Sequence, residues 1–345
     1  MKYKLYTTSQ KAWDGMLSAI SLAQKTIYIE MYIFLDNTQA THNFLKLLKE
    51  KSLSGLEVVI IADAYGSSSL QSVAVSKLRE SGIEFIYFSH WFKRTHRKIL
   101  IIDNNIAFIG GVNIEEKFRN WSDLQIKIQG KIVKPLLRSF AYTYKMIGGQ
   151  KKTILKFATT PLAKKIKSWI IDNLASTAKI YFLNDYYKKK IDRSRKHIFI
   201  VTPYLSPPRW LIASLDDACR RGVKVEFLIP NDTDVKPLNK VNYLNACRLS
   251  EIGVKFYLGA TMNHAKIMLI DNEEGVIGSQ NMDILSFNWN IEVGVFFRQK
   301  DLVRDLQKIT DKWKKEAVQF EVPGRKINIL DRFLIIILKI FYPIF

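Results

Sequence analysis

A histidine, a lysine two residues on and an aspartate five further on occur twice in this chain. They are His96, Lys98 and Asp103 in RTHRKILIIDNNIAFIGGVN (94–113), and His264, Lys266 and Asp271 in NHAKIMLIDNEEGVIGSQN (263–281). Each copy reads H-x-K-x4-D, then a glycine, then an asparagine, Asn113 or Asn281, seventeen residues after the histidine. In a strand, side chains at i and i+2 share a face, so each histidine and its lysine project together. An ammonium beside an imidazole disfavours the doubly charged state, which keeps the ring neutral and nucleophilic and offers donors to an anionic oxygen. Two such pairs facing one pocket suit a phosphodiester: one imidazole attacks phosphorus and the other protonates the leaving oxygen. A single copy would read as a surface histidine in a lysine-rich chain; two in register do not.

The elements that must hold these residues are repeated as well. In the first half KTIYIEMYIFLD (25–36) alternates as a strand, NFLKLLKEKSLSG (43–55) as an amphipathic helix and LEVVIIAD (56–63) as a buried strand. SSLQSVAVSKLRESG (68–82) then reads as helix and IEFIYF (83–88) as strand. The second half repeats the order in HIFIVTPYL, WLIASLDDACRRG, VKVEFLIP, VNYLNACRLSEIG and VKFYL (197–258). Gly55 and Gly222, Gly82 and Gly253, Gly110 and Gly278, and Trp121 and Trp289 keep offsets of 167 to 171 residues, as a duplicated domain predicts. Helices over 132–146 and 302–316 close the two halves. The alternation implies an α/β class with parallel sheets covered on both faces and site residues at the carboxyl ends of strands. The loops 64–72 and 231–240 are expected to overhang that site. Domain bounds follow at 1–150 and 151–325, with a tail over 326–345.

The chain has 345 residues, 48% of them hydrophobic and 25% charged, enough for two ordinary domains with their own cores. A formal charge of +21 calls for an anionic partner, nucleic acid or an acidic membrane face. Cys219 and Cys247 show no metal-ligand spacing and read as two buried thiols in a reducing compartment. The N-terminus lacks the apolar core of a signal peptide. Residues 145–197 mix fourteen Lys or Arg with Trp169, Tyr181, Phe182, Tyr186 and Tyr187, a pattern that suits a phosphate-binding surface or a solvated basic face. FLIIILKIFYPIF (333–345) is nearly all apolar but shorter than the roughly 20 residues that span a bilayer, so it reads as an in-plane membrane anchor, or else as a last core helix.

HRKILIID with GGVN and HAKIMLID with GSQN resemble the paired H-x-K-x4-D motifs of the phospholipase D superfamily, over about residues 5 to 320. The resemblance implies two tandem phospholipase D-like α-β-α domains related by pseudo-twofold symmetry, with the active site at their interface. It implies metal-independent, cofactor-free phosphodiester transfer through a phosphohistidine on His96, with His264 as general acid and base. Lys98, Lys266, Asn113 and Asn281 then contact phosphate, with a small hydroxyl position matched by Ser279 and, as a departure, by Gly111. Glu292 in SFNWNIEVG, and Asp123 in NWSDLQI at a spacing one shorter, match the family's histidine-bonding carboxylate. Asp103 and Asp271, seven positions from their histidines at a turn, are better placed to brace it than to touch substrate.

Within the superfamily, TPYLSPP, RGVKVEFLIPNDTD and GSQNMD look most like the bacterial cardiolipin synthase branch. That resemblance implies a phosphatidyltransferase on anionic glycerophospholipids, a monomer carrying both half-sites and held at the cytoplasmic side of the cell membrane. A hydrolytic phospholipase or a metal-independent nuclease on the same scaffold is the alternative, and the apolar tail favours the lipid reading over nucleic acid. A non-catalytic DNA- or lipid-binding module is disfavoured by two complete His and Lys pairs.

Overall fold

The computed structural model describes residues 1–91, 93–159, 168–172 and 182–321. The chain divides into two compact units. The first comprises the described residues of Met1–Ala178 with Ile277–Ser279 and Asn290–Val295; the second comprises those of Lys179–Val276, Gln280–Trp289 and Phe296–Phe345.

In the first unit the strands are β1 (Lys2–Thr8), β2 (Thr26–Met31), β3 (Glu57–Asp63), β4 (Glu84–Phe88), β5 (Lys98–Ile102), β6 (Ile106–Gly110) and β7 (Ser122–Gln129). They form one sheet in the order β1-β7-β6-β5-β2-β3-β4. Helices α1 (Ser9–Ser21), α2 (Phe44–Leu53), α3 (Ser72–Glu80) and α4 (Val133–Met146) cover it, and a single turn, α5 (Lys152–Leu155), follows. Polar side chains start the first two helices: Thr8 accepts from the Lys11 N–H and Asn43 from the Lys46 N–H. β2 and β3 are buried along almost their whole length, as their unbroken apolar runs require of strands covered on both faces.

The later strands are β8 (Ser168–Asp172), β9 (His197–Val201), β10 (Leu205–Ser206), β11 (Lys224–Pro230), β12 (Lys255–Gly259), β13 (Ile267–Ile270), β14 (Glu274–Gly278), β15 (Met282–Asp283), β16 (Val293–Phe297) and β17 (Val318–Gln319). Eight of them build a sheet in the order β17-β12-β11-β9-β13-β14-β16-β8, and β10 pairs with β15. The helices are α6 (Phe182–Asp192), α7 (Arg209–Arg220), α8 (Lys236–Ser250), α9 (Ile284–Asn288) and α10 (Lys300–Lys315). Gly55 and Gly222 stop α2 and α7 at φ +93° and +82°, a conformation that only glycine adopts without strain.

Both sheets are mixed, not parallel throughout. β2, β3 and β4 run parallel, whereas β5 lies antiparallel to β2 and β6 antiparallel to β5. The return from β5 to β6 is local: Asp103 and Asn104, like Asp271 and Asn272, hold φ between +50° and +58° in a tight turn, and Ile102 pairs with Ile106 across it. Each aspartate also gathers three successive backbone N–H groups, Asp103 those of Gln24, Lys25 and Thr26, Asp271 those of Arg195, Lys196 and His197. The antiparallel reversal has a consequence for the site: Lys98 at the head of β5 pairs with Met31 at the carboxyl end of β2.

Three further expectations change. α8 begins at Lys236, so half of the 231–240 segment is helix, with Pro237 tolerated in the first turn. Tyr187 is buried against Phe287 and Phe296, and the Tyr186 hydroxyl donates to Glu274, so these two rings serve packing and not a surface. Cys247 is buried but Cys219 only half-buried, and both are free thiols. The side chains of Trp169, Tyr181 and Phe182 and the tail over 326–345 lie outside the described residues.

Candidate active site

His96 precedes β5 by two residues and is 7% exposed, and Lys98 is fully buried. Lys98 Nζ donates to the His96 carbonyl at 2.6 Å and lies 4.9 Å from the centre of the Tyr32 ring. The Tyr32 ring in turn stands edge-on to the His96 imidazole at 4.8 Å. His264 and Lys266 repeat this in the second unit: both are buried, Lys266 Nζ donates to the His264 carbonyl, and Tyr204 stands edge-on to the imidazole at 6.2 Å. A buried ammonium that turns back on its own strand is held in one place, and burial raises its worth to an anionic oxygen.

The His96 ring is oriented from far along the sequence. Its Nδ1 lies 2.9 Å from Oε1 of Glu292, a fully buried carboxylate whose Oε2 accepts from the Ser279 hydroxyl. Residues 290–295 reach this position because Thr95 and Ile291 form a parallel bridge, with His96 N–H on the Ile291 carbonyl at 3.0 Å and Ile291 N–H on the Arg94 carbonyl at 2.8 Å. Glu292 therefore serves the histidine of the other copy of the motif, 196 residues away. A carboxylate on Nδ1 sets the tautomer that exposes Nε2 as the basic nitrogen and stabilises the imidazolium when one forms.

Ser279 is turned to Glu292, an orientation that the motif alone did not indicate, and Gly111, its counterpart, has no side chain to do the same. Asn113 is buried, its Oδ1 accepting from Ile33 N–H and its carbonyl from the Trp13 indole. Asn281 is buried with its backbone N–H on Ser286. Asp123 is buried on β7, its Oδ1 accepting from Leu124 N–H. Asp103 and Asp271 sit at the far ends of their strands, on the turns described above.

Asp63 was not singled out by the motifs, although it ends β3, where site residues of such sheets collect. It is fully buried and accepts from the N–H groups of Tyr65, Gly66 and Thr95 at 3.0, 3.0 and 2.8 Å, the last immediately before His96. Burial pushes its carboxyl up to about 6 against the pull of those donors. Gly66 must be glycine for the loop to close over Tyr32: a Cβ there would lie 2.3 Å from the Tyr32 carbonyl oxygen. Tyr32 itself is pushed well above the usual tyrosine range, chiefly by burial, so it stays a neutral ring beside the imidazole. Among the described residues no group of three or more His, Cys, Asp or Glu is arranged to hold a metal ion.

This double α/β fold is the one found in the phosphatidylserine synthase of Haemophilus influenzae, which superposes with a TM-score of 0.78 at 14% identity over 99% of this chain and 93% of that one. The family described as "Cardiolipin synthase, PLD-like domain" matches residues 16–143 and 187–313, and the chain belongs to it. Relatives include the probable cardiolipin synthase YwiE of Bacillus subtilis, 27% identical over 95% of this chain and 69% of that protein. Cardiolipin synthase 1 of Staphylococcus epidermidis is 30% identical over 90% of this chain and 67% of its own length. The chain is a phosphatidyltransferase of phospholipase D type.

Proposed function

We propose that this phosphatidyltransferase forms cardiolipin by moving a phosphatidyl group from one phosphatidylglycerol to another. In the first step His96 Nε2 attacks phosphorus, the bond from phosphorus to the glycerol oxygen breaks, and His264 gives that oxygen its proton. In the second, the primary hydroxyl of the acceptor lipid passes its proton to His264 and attacks the phosphohistidine, which frees His96. Lys98, Lys266, Asn113 and Asn281 hold the phosphoryl oxygens, Glu292 steadies His96 through Nδ1, and Asp123 is the carboxylate assigned to the second proton relay. Ser279 acts on Glu292, and Asp103 and Asp271 brace the hairpins.

The observation that supports this reading is the 2.9 Å contact of His96 Nδ1 with buried Glu292, an arrangement that suits an imidazole acting as nucleophile. The relatives named for cardiolipin synthesis support the substrate class. The protein works as a monomer on an anionic phospholipid membrane at the cytoplasmic side, with residues 326–345 assigned to the bilayer on composition. Among the described residues no helix is long and apolar enough to cross a membrane. Incubating purified protein with labelled phosphatidylglycerol vesicles, and separately with labelled DNA, tests the proposal. Cardiolipin plus glycerol is expected; phosphatidic acid would make the enzyme a hydrolase, and cut DNA a nuclease.

A further inference from the structure

Between β4 and β5 the chain runs through Ser89, His90, Trp91, Lys93 and Arg94 before it reaches Thr95 and His96. Trp91 is 83% exposed, an unusual position for so large an apolar ring, and His90 and Lys93 are exposed beside it. No acidic residue occurs between Glu84 and Asp103. The Arg94 guanidinium lies 4.7 Å above the Tyr65 ring and donates to the His90 carbonyl at 3.1 Å, so the loop folds on itself. With Asp63 and Tyr65 it walls an open cavity of about 360 Å³.

We propose that this loop, with Trp91 as its wedge, seats the enzyme on an anionic bilayer and brings His96 to the level of the lipid headgroups. An indole is amphipathic and settles at the boundary of headgroup and acyl chain, while lysine and arginine beside it meet anionic phosphates. The loop is tied to the reacting histidine at its C-terminal end. Asp63 takes the Thr95 N–H, and Ile291 bonds both the Arg94 carbonyl and the His96 N–H, so whatever fixes Arg94 fixes His96 one bridge away. A single-stranded nucleic acid is the other polyanion that uses rings and cations, but it stacks successive bases on several rings. Among the described residues of this wall Trp91 is the ring that stands mostly exposed, while Tyr65, with Arg94 over its ring, is 45% exposed.

This inference rests on the reading of the substrate as a bilayer phospholipid, and its test needs no turnover. Full-length protein and the variants Trp91→Ala and Trp91→Tyr are sedimented with vesicles of phosphatidylcholine, with and without phosphatidylglycerol, and with a labelled oligonucleotide. Melting curves show that each variant is folded. Trp91→Ala is expected to weaken partition onto the anionic vesicles by about tenfold and Trp91→Tyr to recover most of it. Lipids brominated near the headgroup are expected to quench a component of the tryptophan fluorescence that Trp91→Ala lacks. Unchanged partition and quenching overturn the proposal, as does a loss confined to the oligonucleotide. Vesicle binding that depends on Trp91 in a protein unable to transfer phosphatidyl groups would leave docking standing and remove only the reaction.

Discussion

Between the histidine and the lysine of each motif stands one residue that points away from the site, and there the two copies differ most. In the first it is Arg97, fully buried, with its guanidinium 3.2 Å from buried Glu30 on β2 and 3.2 Å from the Thr143 hydroxyl; Thr95 donates to the other oxygen of Glu30. In the second it is Ala265, and the place of Glu30 is taken by Val201. The second unit buries its carboxylate elsewhere: Glu226 on β11 gathers His197, Tyr257, Lys224 and Lys314. Burial alone would push Glu226 up, but these donors together hold it well below the usual carboxylate range. The face that holds the His and Lys pair is thus repeated, while the opposite face of the same strand is free to be ionic or apolar. A buried ion pair and a well-packed apolar pair can hold a strand about equally well.

On the repeated face the largest effect is expected from Glu292→Gln. The amide keeps the shape but loses the charge that orients and stabilises His96, and kcat is expected to fall about 10³-fold with little change in KM. Equal rates in variant and wild type would show that the contact is only structural. Next in size is Arg97→Ala, which leaves Glu30 buried without its charge partner and is expected to cost about 3–5 kcal/mol in denaturant unfolding. The double variant Arg97→Ala, Glu30→Val installs the arrangement of the second unit and is expected to regain most of that loss. If the double variant is no better than the single, the two faces are not interchangeable.

The smallest effect concerns Asp63, which has a buried carboxyl at about 6 against an unperturbed 3.8. Because the folded value is the higher one, the native state keeps a proton that the unfolded chain has already released. Its contribution to stability is complete below the unperturbed value and is lost as pH rises through about 6. Asp63→Asn removes this titration. Its melting temperature relative to wild type is expected to rise across that window, even though the amide no longer accepts from Thr95. A pH-independent difference would mean that Asp63 is ionised throughout.

Much of this was legible along the chain. The helices over 43–55, 132–146 and 302–316 follow from their apolar period, and the structure places them at Phe44–Leu53, Val133–Met146 and Lys300–Lys315. Asp-Asn at 103–104 and 271–272 signalled turns, though not that those turns would make both sheets mixed. Asp63 and Tyr32 belong to no motif, and Tyr204 lies in TPYLSPP without a role that the stretch itself indicates; each lies at or just beyond the carboxyl end of a parallel strand, a place that only the sheet order makes visible.

Local pattern determined the duplicated α/β plan, the two His and Lys pairs and the braced hairpins, because each depends on residues a few positions apart and on backbone rules that act at that range. Folding alone decided that Glu292 would meet His96 from 196 residues away, that Ser279 would turn to Glu292, and that Arg97 would find Glu30. Such pairings depend on which strands become neighbours and on the need of every buried charge for a partner, and neither is encoded in the spacing of residues along the chain.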